Sequence, residues 1–132
     1  MRYLLDTDWV VYYLRGHQRI VEKIKVYQEE GMGISIVTLA ELKGGVYCSN
    51  NPERAREGLN NFLSFVKVLP INGEICEYYG REYARLRQIG QLIGGFDLLI
   101  AVTCLINNLT LLTNNEGHFK KISGLKIESM IE

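Results

Sequence analysis

The apolar run Tyr3-Leu4-Leu5 stops at Asp6, and after only Thr7 and Asp8 a second apolar stretch begins, Trp9-Val10-Val11-Tyr12-Tyr13-Leu14. This spacing leaves no room for a loop. A short buried strand must end on a carboxylate and turn at once into a helix. In open parallel α/β sheets, ligands bind beyond the carboxyl ends of the strands. Asp6 is therefore expected at that edge, with the rest of the chain arranged around it.

The remaining sequence repeats the strand-then-helix plan. Residues 9–14 read as a short helix closed by Gly16, and residues 17–30 place Ile20, Val21, Ile24 and Tyr27 at helical spacing before Gly31. A second strand is predicted over 33–37, with Thr38 capping a helix that reaches about residue 48. Ser49-Asn50-Asn51 is a turn, and Pro52 suits the first position of a helix over 53–66 whose Leu59, Leu63 and Val66 share one face. Residues 68–70 form a third strand near the sheet edge, because Pro70 cannot donate to a ladder. Asn72 caps a helix over 73–89, and a loop from Gly90 to Gly95 leads to the most apolar helix, 98–106. A fourth strand over 109–112, a polar turn at Thr113-Asn114-Asn115, a short helix near 118–122 and a fifth strand over 125–127 complete the chain. Strands alternating with helices predict an α/β fold, a short and mostly parallel sheet of four to five strands flanked by helices, in a single domain over 1–132.

Bulk properties exclude more than they assign. Fifteen basic residues balance fifteen acidic ones, so any surface that attracts nucleic acid has to be local. The apolar stretch 98–106 is too short to span a bilayer, and Asp6 and Asp8 interrupt any leader-like run, so a cytoplasmic protein without membrane association is expected. Cys48, Cys76 and Cys104 are odd in number and form no C-x-x-C, which predicts free, buried core thiols in a reducing compartment. His17 and His118 lack partners at zinc-ligand spacing and are expected in surface or packing roles. No G-x-S-x-G, P-loop or G-x-G-x-x-G is present. Arg81 can pair with Glu77 one helical turn away, whereas Arg15, Lys43, Lys120 and Lys121 lie close in sequence to the candidate site elements and are the better candidates for phosphate contacts.

Four polar positions carry the chemistry. Asp6 ends the first strand, Glu41 lies one turn into the helix after the second, Asp97 opens the apolar helix before the fourth, and Asn115, with Glu116 beside it, follows the fourth. Each has a structural reading by itself: Asp6 as a helix cap, Asp97 as a charge favoured by a helix dipole, Glu41 as an exposed helical residue. In a parallel sheet, however, all four can converge at the carboxyl edge. Clustered carboxylates repel unless a cation sits between them, and oxygen donors with waters suit Mg²⁺ or Mn²⁺.

Several stretches resemble one family. They are Tyr3-Leu4-Leu5-Asp6-Thr7-Asp8, Thr38-Leu39-Ala40-Glu41-Leu42, Phe96-Asp97-Leu98-Leu99-Ile100-Ala101 and Leu109-Thr110-Leu111-Leu112-Thr113-Asn114-Asn115, followed by Phe119 and Gly124-Leu125-Lys126-Ile127-Glu128. In order, spacing and total length they are similar to PIN-domain proteins, and among these to VapC-type toxin ribonucleases of type II toxin–antitoxin systems. The resemblance implies a Rossmann-like sheet and a Mg²⁺- or Mn²⁺-dependent endoribonuclease acting on RNA. It carries metal binding onto Asp6, Glu41 and Asp97, and places the family's fourth acidic position at or near Asn115, a neutral amide that still orients a metal or a water. Asp8 stands where the family commonly has Asn. A small antitoxin covering the site and a homodimer are implied as well.

Two other readings compete. Asp6-Thr7-Asp8-Trp9-Val10 also fits the D-x-D-x-[TV] start of haloacid-dehalogenase-like phosphatases, with Asp6 as nucleophile and Asp8 as general acid. The chain is short for that fold, and its later Lys and paired-Asp elements are not evident. Asn115 also leaves room for a degenerate PIN domain kept as a binding module.

Overall fold

In the first strand, β1 (Tyr3–Leu5), alternate side chains leave on opposite faces, as the pleat requires. Leu4 packs one way, with Ile75, Leu86, Leu98, Leu111 and Phe119. Tyr3 and Leu5 pack the other way, with Trp9, Ile20, Ile24, Leu59 and Phe62. Burial on both faces defines a central strand covered by helices on each side. The structure is a computed structural model describing residues 1–130, so the last two positions of the expected domain lie outside the described residues.

β1 pairs in parallel with β2 (Met32–Ser35) on one side and with the strand Thr110–Leu112 on the other. Counting in chain order, with β3 (Lys67–Leu69), β4 (Thr110–Leu112) and β5 (Lys126–Glu128), the sheet runs β3-β2-β1-β4-β5 and every pairing is parallel. The five strands fall where the hydrophobic pattern places them, with β3 at the edge as Pro70 implied. The helices are α1 (Thr7–Leu14), α2 (Gln18–Tyr27, prolonged by a 3₁₀ turn over Gln28–Glu30), α3 (Ile36–Tyr47), α4 (Pro52–Leu63), α5 (Gly73–Gln88), α6 (Gly95–Ile106) and the short α7 (Glu116–Phe119). Helices α5 and α6 cover the Leu4 face, and α1, α2 and α4 cover the other. Helix α3 gives Val37 to the first core and Leu42 and Val46 to the second.

Local chemistry corrects some expectations. Thr38 does not cap α3. Ser35 does, its hydroxyl accepting from the Val37 N–H at 3.1 Å, so the β-branched Ile36 and Val37 that read as strand are already helical. Thr38 is then buried inside the helix, with its hydroxyl turned toward Thr7. Asn72 caps α5 as predicted, accepting from the Ile75 N–H, and Asn51, read in the sequence only as part of a turn, caps α4 by accepting from the Arg54 N–H. Of the three cysteines expected in the core, only Cys104 is buried, its Sγ donating to the Leu109 carbonyl at 3.1 Å. Cys76 lies off the Ile75–Glu82–Leu86 face that α5 buries, and Cys48 closes α3 in an exposed position. Gly33 has a packing reason: a Cβ there would stand 3.0 Å from the Lys67 carbonyl oxygen of β3. Among the described residues, no helix is long and apolar enough to cross a membrane.

Leu4 is fully buried and touches the middle of one core. Leu4→Ala is expected to lower unfolding free energy by about 2–5 kcal/mol in a urea titration, whereas Val26→Ala, on the exposed side of α2, should stay within about 0.5 kcal/mol of the parent.

Candidate active site

The strand order reverses direction between β1 and β4. At such a switch point the loops leave to opposite faces and open a crevice beyond the carboxyl ends of the strands. Asp6 stands on one side of it. Its backbone N–H bonds the Leu112 carbonyl at 2.9 Å, continuing the ladder one step past β1. Its extended backbone makes it the N-cap of α1. The carboxyl is buried, and both oxygens are held: Oδ1 accepts from the Thr7 N–H at 2.8 Å, and Oδ2 from the Thr113 hydroxyl at 2.7 Å.

Thr7 also reaches the next strand's helix. Its hydroxyl lies 2.7 Å from Glu41 Oε1 and 3.0 Å from the Thr38 hydroxyl. A hydroxyl has one proton to give, and the carboxylate is the stronger acceptor. Thr7 therefore donates to Glu41 and accepts from Thr38. Thr38 and Glu41 lie three positions apart and so share one face of α3.

On the other side, the loop after β4 is fastened to α1 by Asn114. Its N–H donates to Asp8 Oδ2 at 3.1 Å, and its side-chain oxygen accepts from Trp9 Nε1 at 3.0 Å and from the Met130 N–H at 2.8 Å. Asp8 Oδ1 is buried without a hydrogen-bond partner. Helix α6 runs back against the strands, which brings Asp97 in its first turn to the same edge. Asp97 Oδ2 is 3.1 Å from His118 Nδ1, and the same ring nitrogen is 2.9 Å from Asn115 Nδ2. The Asn115 N–H donates to the Thr113 hydroxyl oxygen at 3.0 Å.

The charges are strained. Burial first, and then the charge of Asp8, push the Asp6 carboxyl up from 3.8 to about 7, against the hydrogen bonds from Thr113 and Thr7 that favour ionisation; Asp97 adds to the rise. Asp8 is raised as well, first by burial, against the N–H groups of Asn114 and Trp9. A hard divalent cation fits this donor set. Two neighbouring carboxyls, Asp6 buried and Asp8 half-buried, are pushed toward protonation first by loss of water, and one Asp8 oxygen is unpartnered. Among the described residues, no three His, Cys, Asp or Glu side chains form a ready cluster.

Asp6, Asp8 and Asp97 thus act on one another, Glu41 joins through Thr7, and Asn115 joins through Thr113 and His118. Glu116 does not: its carboxylate accepts from the Ser129 hydroxyl at 2.7 Å. Four contributors escaped the sequence reading, namely Thr7, Thr113, Asn114 and His118. Thr113 was accessible in principle, because the pairing of Leu5 with Leu112 puts the residue after β4 opposite Asp6. His118, expected in a surface or packing role, is half-exposed and faces Asp97. Of the candidate cations, Lys43 and Lys120 are exposed two positions beyond Glu41 and His118, whereas Arg15 closes the end of α1 away from Asp6. The Lys121 carbonyl holds Arg85 at 3.0 Å. A separate open cavity of about 610 Å³ lies between α1, α3 and α4, and none of the four acids Asp6, Asp8, Glu41 and Asp97 lines it.

Comparison with known proteins is consistent in one direction. The PIN domain family matches residues 3–125. Ribonuclease VapC2 of Rickettsia felis is 35% identical over 131 residues, covering 98% of each chain. Ribonuclease VapC1 of Haemophilus influenzae is 32% identical over 128 residues, covering 96% of each. The tRNA(fMet)-specific endonuclease VapC of Shigella flexneri is 30% identical over 128 residues, covering 97% of each. Among solved structures, VapBC2 from Rickettsia felis bound to a DNA fragment from its promoter matches with a TM-score of 0.93 at 34% identity, covering 99% of this chain and 100% of that one. DNA-bound VapBC from Salmonella typhimurium matches with a TM-score of 0.91 at 29% identity, covering 98% of each.

The Asp6 shift has a stability consequence. Between its unfolded value near 3.8 and its folded value of about 7, the folded state holds a proton that the unfolded chain has released. Stability of the metal-free protein therefore falls as pH rises through that window and stays low above it. Thermal melts from pH 5 to pH 8 should show this fall, Asp6→Asn should flatten it and melt higher at pH 8, and added Mg²⁺ should raise the wild-type melting temperature at pH 8 while leaving Asp6→Asn nearly unmoved.

Proposed function

Because the chain belongs to the PIN-domain family and lies among its VapC ribonucleases, we propose that it is a VapC-type toxin endoribonuclease, which hydrolyses RNA phosphodiester bonds and is held inactive by a cognate antitoxin. The observation that carries the reading is Asp6 at the β1–β4 switch point. It is buried and fixed through both oxygens, with Asp8 and Asp97 in electrostatic range and Glu41 joined through Thr7. In this reading Asp6, Glu41 and Asp97 hold Mg²⁺ or Mn²⁺, and Asn115 supplies an amide at the fourth position. With Asn115 neutral and Glu116 held by Ser129, the charge suits one ion rather than two. Such an ion, when bound, lowers the pKa of a water and neutralises charge on the phosphate.

The chain's own residues set the geometry for that chemistry. Thr113 and Thr7 aim the two oxygens of Asp6. Thr7 holds one Glu41 oxygen, and Asn114 holds one Asp8 oxygen. Lys120, exposed at the end of α7, is available to the RNA backbone, whereas Lys43, two positions past Glu41 on α3, points away from the face that Glu41 occupies. The structural relatives described above are toxin–antitoxin complexes, and that supports an antitoxin partner here. A homodimer, a cytoplasmic location and a single PIN-like domain over 1–132 complete the reading. The phosphatase alternative gives way to the family assignment.

Purified protein should cleave members of a panel of defined RNAs, initiator tRNA among them, in Mg²⁺ or Mn²⁺ and not in EDTA. Asp6→Asn and Asp97→Asn should each cut the rate by about 100-fold or more, with Asp8→Asn the milder change. Full activity in folded Asp97→Asn would sink the nuclease reading. Absence of both cleavage and Mn²⁺ binding in the parent would leave a PIN binding module.

A further inference from the structure

We propose that His118 is a positioning residue, whose Nδ1–H holds the Asp97 carboxylate and ties it to Asn115 on the loop after β4. The inference rests on the metal-dependent reading of the crevice. Nδ1 lies 3.1 Å from Asp97 Oδ2 and 2.9 Å from Asn115 Nδ2. One ring nitrogen cannot satisfy a carboxylate and an amide N–H together. With a proton it donates and has no lone pair for the amide; without one it accepts from the amide and turns a lone pair on the carboxylate. The carboxylate decides, because an N–H toward an ionised oxygen is a charge-assisted bond and a lone pair there is repulsive. Nδ1 therefore carries the proton. The Asn115 amide is turned to present its oxygen to the same N–H, an exchange of O and N that leaves the heavy-atom positions in place. The neutral δ tautomer and the imidazolium both carry this proton, so the contact does not depend on the charge of the ring.

Each of the other acids has its own orienting group: Thr7 and Thr113 for Asp6, Asn114 for Asp8, Thr7 for Glu41. Among the described residues, His118 is the hydrogen-bond partner of the Asp97 side chain. Its place is set by the chain on either side. Phe119 is fully buried in the Leu4-face core, and Asn115 is anchored through its N–H to Thr113, which in turn donates to Asp6. A continuous series, Asp97–His118–Asn115–Thr113–Asp6, thereby spaces the two carboxylates that come from different elements.

The test follows Mn²⁺ binding in the absence of RNA, by the electron paramagnetic resonance signal of free Mn²⁺, with folding checked by circular dichroism. His118→Ala is expected to weaken binding about 10-fold or more, the range for losing an orienting group behind a ligand. His118→Asn, whose amide N–H falls where Nδ1–H was, should recover affinity to within about threefold of the parent, whereas His118→Gln, whose amide reaches the Nε2 position, should not. Parental affinity in His118→Ala overturns the proposal, as does equal affinity in the Asn and Gln variants. If the Ala variant does not fold, the Asn and Gln comparison decides alone. A parent that binds no Mn²⁺ and cleaves no RNA removes the metal reading and this inference with it, whereas a parent that does both beside an unaffected His118→Ala removes only the inference.

Discussion

Everything at the crevice depends on one carboxyl kept where carboxyls are least stable. Asp6 is buried at the end of the central strand, and the Thr113 hydroxyl and Thr7 N–H that grip it do not offset the loss of water and the charge of Asp8. A group placed for packing alone would not be Asp, since Asn would accept the same Thr7 N–H without the desolvation of a charge. The protein carries a local cost at the end of its central strand, and such costs cluster where function requires them.

The surrounding frame is built from short hydrogen-bonding side chains rather than from more charge. Thr7 serves Asp6 through its N–H and Glu41 through its hydroxyl, so one residue sets the spacing of two acids from two strands' helices. Thr38 completes that hydroxyl's bonding from inside α3, and Ser35 caps the helix in its place. Asp8 gains charge for the crevice, but its unpartnered oxygen shows that the frame alone does not satisfy it.

The fold was legible because each strand announces itself as a brief apolar run and each helix by periodicity and caps; alternation gave a mostly parallel sheet of four to five strands, and the structure has five, all parallel. Boundaries slipped where two signals overlapped, as at Ile36 and Val37, whose β-branching favours a strand while Ser35 starts a helix. Asp6, Glu41 and Asp97 were legible as a set because topology sends them to one edge. Thr113 and His118 were not, because a hydroxyl in a polar turn and an isolated histidine carry no local pattern. Their meaning lies in strand register and in a contact between residues 97 and 118 that only the folded chain makes. The cysteines misled for the opposite reason: an apolar-looking neighbourhood does not say which side of a helix faces inward.

The Asn114 amide gathers segments that leave the ribosome at very different times. Its partner Trp9 precedes it by 105 positions, and its partner Met130 follows it by 16. The contact with Trp9 is strongly nonlocal, and the last strand has to be in place before the amide oxygen is satisfied from both sides. A chain lacking its last residues thus holds the turn at Asp8 and Trp9 without the Met130 contact that completes the bonding of the Asn114 oxygen.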